Sequence, residues 1–227
     1  MPAIEFTDVS VEFEERLVLD RVSLNLTEHR IGIIGANGSG KSTLARLING
    51  LGEPTSGTVR VDGLDPVKDG REVRRKVGFI FSDADNQIVM PSVIDDVAFS
   101  LRRMRLPRAE RRERARAALE RFGLAGHADQ SPHLLSGGQK QLLALTAVLV
   151  TEPETVIADE PTTLLDLRNR RMIHDVFAGL DQQLIVVTHD LDLVADADRV
   201  IYLGDGGIVA DGEPRETIAR YVADMER

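Results

Sequence analysis

The stretch GANGSGKST, residues 35–43, constrains the fold of this chain more than any other segment. It has the spacing G-x-x-x-x-G-K-[ST] and lies between a short apolar segment, RIGIIG, and a segment with helical spacing, KSTLARLINGL. Gly35, Gly38 and Gly40 let the backbone curl, so that several N–H groups converge on one point. Such a turn between a strand and a helix predicts a nucleoside triphosphate site in an α/β fold.

The side chains of this loop are suited to the parts of a magnesium nucleotide. Lys41 is long enough to reach the β- and γ-phosphates, and the Ser42 hydroxyl can bind Mg²⁺. Thr43 is predicted to hold the α-phosphate. The other residues predicted to line the phosphates are Asn37, Gly38, Ser39 and Gly40. A glycine-rich turn ending in an exposed lysine is the alternative interpretation, and the flanking strand and helix argue against it.

A second segment, TVIADE at 155–160, is predicted to supply carboxylates. Its apolar strand would deliver Asp159 to the carboxyl edge of the sheet, where open α/β sheets bind ligands. We expect Asp159 to hold Mg²⁺ through water and Glu160 to orient and deprotonate the attacking water. LIVVTHD places His189 at the end of another strand, where contact with the γ-phosphate is favoured over a structural role. The histidines without such a setting, and without a predicted role, are His29, His127, His133 and His174.

The order of strand and helix patterns predicts the architecture. Residues 4–26 alternate apolar and polar side chains and predict antiparallel strands. Strands and helices alternate at both ends of the chain, which indicates a mostly parallel sheet. Between about Asp83 and Leu145 the strand patterns stop, and SVIDDVAFSLRRMRL and RAERRERARAALERFGL predict amphipathic helices, the second starting after Pro107. The fold class is therefore α/β, a P-loop NTPase with a mostly parallel sheet, an antiparallel β subdomain and a helical insertion.

We expect one domain, residues 1–227, made of two lobes. The predicted lobes are a nucleotide-binding lobe, 1–82 with 146–227, and a helical lobe, 83–145.

Composition excludes several classes of protein. The chain has no cysteine, so a thiolate metal site and a cysteine nucleophile are impossible. Its net charge of −9 argues against a nucleic-acid partner. Residues 102–121 hold nine arginines and three glutamates, and a solvated helix face with Glu–Arg pairs is favoured over a surface that binds nucleic acid or an acidic partner. The start of the sequence lacks a signal-peptide pattern, and no uncharged apolar run approaches the ~18 residues of a membrane span, so we expect a soluble cytoplasmic protein.

LLSGGQKQLLALTAVLV, residues 134–150, places two glycines at the start of a predicted buried helix. Glycine there costs backbone entropy, but it leaves N–H groups bare to face an anion along the helix axis. The apolar residues of 142–149 are predicted to be core.

Together these segments resemble the ATP-binding subunits of ABC transporters over essentially the whole chain. LSGGQ, residues 135–139, is identical to that family's signature. The resemblance implies the ABC ATPase fold, ATP and Mg²⁺ as cofactors, and a head-to-tail dimer, either a homodimer or a heterodimer with a related ATPase. ATP would lie between the phosphate loop of one subunit and the signature of the other. The signature residues that would contact the γ-phosphate of the facing subunit are Ser136, Gly137, Gly138 and Gln139.

The resemblance assigns roles to three more residues. Phe13 lies where the family has an aromatic residue that stacks on adenine. Asp166, in EPTTLLD, resembles the aspartate that crosses the dimer interface. Ser82 stands where the family usually has a glutamine that contacts Mg²⁺ and the attacking water. Serine is shorter, so Ser82 is predicted to reach Mg²⁺ only through water; the next glutamine along the chain is Gln87.

DNQIVMPSVIDDVAF, residues 85–99, looks like a segment of energy-coupling-factor importers. Those importers pair two ATPases with a transmembrane coupling protein and a substrate-binding membrane protein for vitamins or transition-metal ions. The resemblance implies Mg²⁺-dependent ATP hydrolysis that powers such an importer from the inner face of the cell membrane. The early end after VADGEP, together with EPTTLLDLRN, favours the biotin type over the cobalt or nickel type. Three alternatives stay open: the ATPase of another ABC importer or exporter, a soluble ABC ATPase without a transport role, and a nucleotide-binding scaffold with little hydrolysis.

Overall fold

A computed structural model describes residues 1–163 and 165–226. The strands in these residues are β1 (Ile4–Phe13), β2 (Arg16–Leu26), β3 (Arg30–Ile34), β4 (Ser56–Val61), β5 (Val77–Ile80), β6 (Thr155–Asp159), β7 (Gln183–Val187), β8 (Arg199–Gly204) and β9 (Gly207–Gly212). The α-helices are α1 (Lys41–Ile48), α2 (Gly70–Lys76), α3 (Val93–Ser100), α4 (Arg108–Arg121), α5 (Gly137–Leu149), α6 (Leu167–Ala178) and α7 (Pro214–Met225).

The larger sheet has the strand order β5-β6-β7-β3-β8-β9. β3 pairs in parallel with β7 and with β8, and β6 pairs in parallel with β7. The β8–β9 pair at one edge is antiparallel. Every residue of β6 and β7 is buried, as expected for central strands of a sheet that is covered on both faces. The predicted mostly parallel sheet is confirmed.

The smaller sheet is antiparallel and has the order β2-β1-β4. β1 alternates buried and exposed residues over most of its length, which is the pattern that predicted a sheet with one face on a core. Its pairing with β2 shifts register after Phe6, after Val9 and after Val11. The predicted antiparallel β subdomain is confirmed.

The described residues fall into two compact units. The first takes in residues 1–79, 154–160 and 180 onward, and the second takes in residues 80–153 and 161–179. The predicted helical lobe, 83–145, lies within the second unit. That unit extends beyond the predicted lobe, because α5 runs unbroken past Leu145 and α6 also belongs to it.

Several local predictions differ from the structure. The helix predicted from SVIDDVAFSLRRMRL ends at Ser100, and a 3₁₀ turn over Leu101–Met104 leads to Arg105, whose φ of 56° a helix cannot continue through. The predicted alternation of strands and helices implies a helix between β7 and β8, where the structure has a 3₁₀ turn, Leu191–Val194. α2 and α7 were not predicted from the sequence. Of the helices in the described part of the chain, none has the length and apolar content that a membrane span requires.

Candidate nucleotide-binding site

The loop between β3 and α1 forms the predicted phosphate cradle, and its glycines are sterically required. Gly40 has a φ of 98°, and a Cβ added to it would lie 2.7 Å from Leu19 Cδ2 and 2.8 Å from the carbonyl oxygen of Val18. Gly35 also has a positive φ, and a Cβ there would overlap the carbonyl oxygen of Leu203. Neither position can hold a side chain without moving backbone, so the curl of the loop depends on these two residues.

Lys41 begins α1 and turns its ammonium group back into the loop. Its Nζ donates hydrogen bonds to the carbonyl oxygens of Gly35, at 2.7 Å, and Ala36, at 2.9 Å. The residue is only 5% exposed. Burial lowers the pKa of the Lys41 ammonium, and the negative charges of Glu160 and Asp159 act in the opposite direction. The charge therefore lies on the concave side of the loop, where phosphate would be bound.

Ser42 and Asp159 meet at the end of β6. The Ser42 hydroxyl donates a hydrogen bond of 2.7 Å to Oδ1 of Asp159, which is 2% exposed. Burial raises the pKa of Asp159, opposed by the Ser42 hydrogen bond and by the charge of Arg46. Arg46 Nη2 lies 3.7 Å from Oδ2 of Asp159. Arg46 was not predicted, although it lies one helical turn after Ser42 and therefore on the same face of α1.

The residues present are suited to a magnesium nucleotide. Ser42 and Asp159 offer two oxygen atoms that can ligate a metal ion. In residues 1–163 and 165–226, no three or more His, Asp or Glu side chains form a cluster that could hold a metal on its own. That is the donor set expected when Mg²⁺ takes its other ligands from phosphates and water. Ser39 Oγ is buried in the loop and makes no hydrogen bond within the described residues. A phosphate oxygen would supply the partner that such a buried hydroxyl needs.

Glu160 follows Asp159 in a strained backbone conformation, with a φ of 52°. Its N–H donates to the carbonyl oxygen of Val187, at 2.8 Å, which fixes the turn against β7. Its Oε2 lies 2.8 Å from Nδ1 of His189 and accepts weaker hydrogen bonds from the His189 N–H and the Thr188 hydroxyl. The carboxylate is thus held in place from three directions. Thr188 was not predicted, although it directly precedes His189 in the sequence.

One cavity of about 320 Å³ collects most of the predicted residues of the first unit. It is lined by Phe13, Arg16, Val18, Asn37, Gly38, Gly40, Lys41, Ser42, Thr43 and Glu160. Phe13 is 59% exposed and forms part of the wall, as expected for a ring that stacks on a base and unexpected for a core residue. Arg16 and Val18 were missed, although they follow Phe13 closely in the sequence.

The signature residues form the start of α5 in the second unit. Ser136 Oγ accepts a hydrogen bond from the Gln139 N–H, at 3.3 Å, and Gln139 Oε1 accepts one from the Ser136 N–H, at 2.9 Å. Gly137 is exposed, with open space where a Cβ would lie, whereas a Cβ on Gly138 would overlap the side chain of Asn169. The two glycines therefore have different structural roles: Gly137 leaves the start of the helix open, and Gly138 leaves room for Asn169 of α6.

Asp166 and Ser82 also lie in the second unit. The Asp166 side chain caps α6 by accepting a 2.8 Å hydrogen bond from the Asn169 N–H. Ser82 is half-buried, directly after β5. Gln87 binds main-chain groups on both sides: its Oε1 accepts from the Phe81 N–H, at 3.2 Å, and its Nε2 donates to the Ala144 carbonyl oxygen, at 3.4 Å.

Comparison with known proteins shows the family of this chain. Residues 19–163 match the family model for the ABC transporter, and the chain belongs to that family as an ATP-binding, ATP-hydrolysing domain. The biotin transport ATP-binding protein BioM of Rhizobium etli is 48% identical over 96% of this chain and 97% of its own length.

Two solved structures share the fold. The structure of cbiO1 from Clostridium perfringens, part of the ABC transporter complex cbiONQ, has a TM-score of 0.83 at 33% identity, covering 98% of this chain and 93% of that one. The dimeric post-hydrolysis structure of the ATP-binding cassette MJ0796, bound to ADP and Pi, has a TM-score of 0.83 at 31% identity, covering 93% and 99%. The predicted ABC ATPase fold and the resemblance to ATPases of energy-coupling-factor importers are confirmed.

Proposed function

We propose that this chain is the ATPase subunit of an energy-coupling-factor importer and that the imported substrate is biotin. The observation that carries the ATPase chemistry is the single cavity in which Lys41, Ser42 and Glu160 meet, with Asp159 bonded to Ser42. The name of the Rhizobium relative favours biotin, and the cobalt import ATP-binding protein CbiO of Syntrophus aciditrophicus, which is 40% identical, makes a transition-metal ion the second candidate. Working with membrane subunits, the chain would act at the inner face of the cell membrane.

The residues divide the chemistry of ATP hydrolysis among them. Lys41 and the loop N–H groups neutralise and orient the phosphates, and Phe13 stacks on the base. Ser42 and Asp159 would hold Mg²⁺, which neutralises charge that develops on the β- and γ-phosphate oxygens. Glu160 orients the attacking water and accepts its proton, a contribution of about 10²–10⁴-fold. His189 keeps the Glu160 carboxylate pointed at the water and extends its exposed ring toward the γ-phosphate.

The catalytic unit is a head-to-tail dimer in which the signature acts in trans. Lys41 belongs to the first unit and Ser136 to the second, and the signature end of α5 is exposed. The dimeric state of MJ0796 with ADP and Pi supports this arrangement. Asp166, at the start of α6, would cross between the subunits. Mixing Lys41→Ala chains with Gly137→Asp chains should restore one intact site per heterodimer; heterodimers that form and stay inactive would exclude action in trans.

The transmembrane partner binds the second unit, which contains the predicted helical lobe. A groove of about 460 Å³ runs along its 85–91 segment. It is lined by Asp85, Ile88, Val89, Met90, Pro91, Pro132, His133 and Lys140. The mixture of apolar side chains and a rim ion pair, Lys140 to Asp85 at 2.7 Å, fits a short amphipathic helix of the coupling protein.

Hydrolysis of Mg²⁺-ATP by the purified chain tests the catalytic assignment. Glu160→Gln should bind ATP and lose about 10²–10⁴-fold in turnover, because the general base is removed. It should also accumulate as an ATP-bound dimer. Glu154→Gln is the matched control, since Glu154 precedes the same strand but pairs with Lys76 on the surface. Near-normal turnover in Glu160→Gln would show that another group is the base.

Uptake by the complete complex tests the transport assignment. The chain is expressed with the membrane proteins that co-purify with it, and uptake of labelled biotin and labelled cobalt is measured in cells. ATP-dependent biotin uptake that Glu160→Gln abolishes supports the proposal. Uptake of cobalt alone would make the chain a metal importer, and the absence of any membrane partner would favour a soluble ABC ATPase.

A further inference from the structure

His127 lies beside the signature, although no role was predicted for it from the sequence. It ends the 3₁₀ turn Ala125–His127, and its Nε2 lies 3.0 Å from Nε2 of Gln139. Its other ring nitrogen, Nδ1, is buried and has no hydrogen-bond partner among the described residues. Within the described residues, the imidazole therefore has one hydrogen-bonding contact, and that contact is with the signature glutamine, Gln139.

The hydrogen bonds of Gln139 determine which nitrogen of His127 carries the proton. Gln139 Oε1 accepts from the Ser136 N–H, so the Gln139 amide nitrogen, which can only donate, faces His127. His127 Nε2 must then accept, which requires a neutral ring with its proton on Nδ1. With a proton on His127 Nε2, or with the Gln139 amide reversed, two donors would face each other.

The backbone that carries His127 is fixed on both sides. The His127 N–H donates to the carbonyl oxygen of Leu124, at 2.9 Å, and its own carbonyl oxygen accepts from the Gln130 N–H, at 3.0 Å. The next residue, Ala128, accepts a 2.8 Å hydrogen bond from the Ile94 N–H at the start of α3. The ring is thus presented to Gln139 from a turn that is fastened to a neighbouring helix.

We propose that His127 is a positioning residue for the signature. It holds the Gln139 amide in one orientation, and Gln139 in turn fixes the backbone of Ser136. Ser136 Oγ already accepts from the Gln139 N–H, at 3.3 Å, so its hydroxyl hydrogen is left to donate to a phosphate oxygen. The inference rests on the proposed function, in which Ser136 contacts the γ-phosphate of the facing subunit.

ATP hydrolysis by the full-length dimer tests this role. His127→Leu removes the acceptor and should lower kcat about threefold to tenfold, the effect of losing one neutral hydrogen bond, with a smaller change in KM. His127→Gln offers a carbonyl oxygen at a similar reach from the backbone and should restore most of the loss. His174→Leu, on α6, is the matched control and should leave turnover unchanged. An equal loss in His127→Leu and His127→Gln would overturn the proposal.

Two further measurements separate positioning from general damage. In a Gln139→Ala background, His127→Leu should cause no additional loss, whereas multiplicative losses would show that His127 acts by another route. The ¹⁵N shifts of His127 in the wild-type chain at pH 8 should show a protonated Nδ1 and a bare Nε2; the reverse tautomer would overturn the proposal without any reference to catalysis. Failure of the proposed function shows itself separately, as turnover that survives Glu160→Gln.

Discussion

Nδ1 of His189 lies 2.8 Å from Oε2 of Glu160, so the histidine at the end of β7 holds the carboxylate at the end of β6. The two strands are neighbours in the sheet, with Asp159 opposite Val187. From the sequence, His189 is predicted to contact the γ-phosphate and Glu160 the attacking water. The structure adds a direct contact between them, and in the proposed mechanism this contact makes His189 the residue that orients Glu160.

Replacing His189 tests this contact. His189→Ala should lower kcat by roughly one to two decades, because a hydrogen bond to a charged group contributes about 1.5–3 kcal/mol. His189→Asn can keep a donor near the position of Nδ1 and should lose less if orientation of Glu160 is the main role. Steady-state kinetics with Mg²⁺-ATP measures both variants. Equal losses in the two would show that the outer ring nitrogen, and hence the γ-phosphate contact, dominates.

The two signature glycines should respond differently to alanine. Gly138→Ala must displace Asn169 and should destabilise the fold by about 1–3 kcal/mol, the usual cost of overpacking. For a chain of this size that is a fall in Tm of about 2–4 °C for each kcal/mol. Gly137→Ala enters open space and should leave the Tm unchanged or slightly higher, since alanine favours a helix. Thermal unfolding without nucleotide measures the Tm of both variants. Equal changes in Tm would contradict the packing of Asn169 against Gly138.

Asp159→Asn should stabilise the protein while removing its activity. Burial raises the folded-state pKa of Asp159 above the reference value of 3.8, so the ionised carboxylate costs stability at neutral pH. The penalty is absent below pH 3.8, appears as the pH rises toward the folded pKa, and is complete above it. The variant should therefore have the higher Tm at pH 7.5, with a difference that shrinks as the pH is lowered toward 3.8. Asp192→Asn, at an exposed position, is the control. A Tm difference between Asp159→Asn and the wild-type chain that grows on acidification would contradict the prediction.

Much of the fold could be predicted because its elements have local signals. The phosphate loop requires a strand before it and a helix after it, and β3 and α1 lie as that rule demands. The start of α4 after Pro107 and the strands β6 and β7 also followed from pattern alone. α7 was missed although Pro214 at its first turn is a known start signal.

The contacts of the site depend on tertiary structure and could not be predicted in the same way. No local pattern in the sequence predicts the contact of His127 with Gln139, because another 3₁₀ turn separates them. The contact of Asn169 with Gly138 is equally unpredictable, because the two residues lie on different helices. Glu160 has a positive φ and its N–H bonds to Val187 on the neighbouring strand, and no local pattern in the sequence indicates either feature. Such pairings follow from how the elements pack, and a sequence shows only the elements.

Ser82 stands where the family resemblance implies a glutamine, and Gln87 is the next glutamine along the chain; the two residues should separate basal hydrolysis from coupling. Ser82→Gln introduces a longer arm with both a donor and an acceptor. If a glutamine there orders the water near Mg²⁺, basal ATPase activity of the isolated chain should rise by roughly one to two decades, since each hydrogen bond to a charged group contributes about 1.5–3 kcal/mol.

Gln87→Ala should act on transport instead. The Gln87 amide joins the Phe81 N–H to the Ala144 carbonyl oxygen, so it ties the start of the 85–91 segment to α5. Its removal loosens the proposed docking surface for the membrane partner and should reduce substrate uptake by the complete complex more than basal hydrolysis. Basal ATPase activity and uptake are measured for both variants. Unchanged basal turnover in Ser82→Gln together with abolished turnover in Gln87→Ala would mean that Gln87 has the catalytic role that the sequence assigned to position 82.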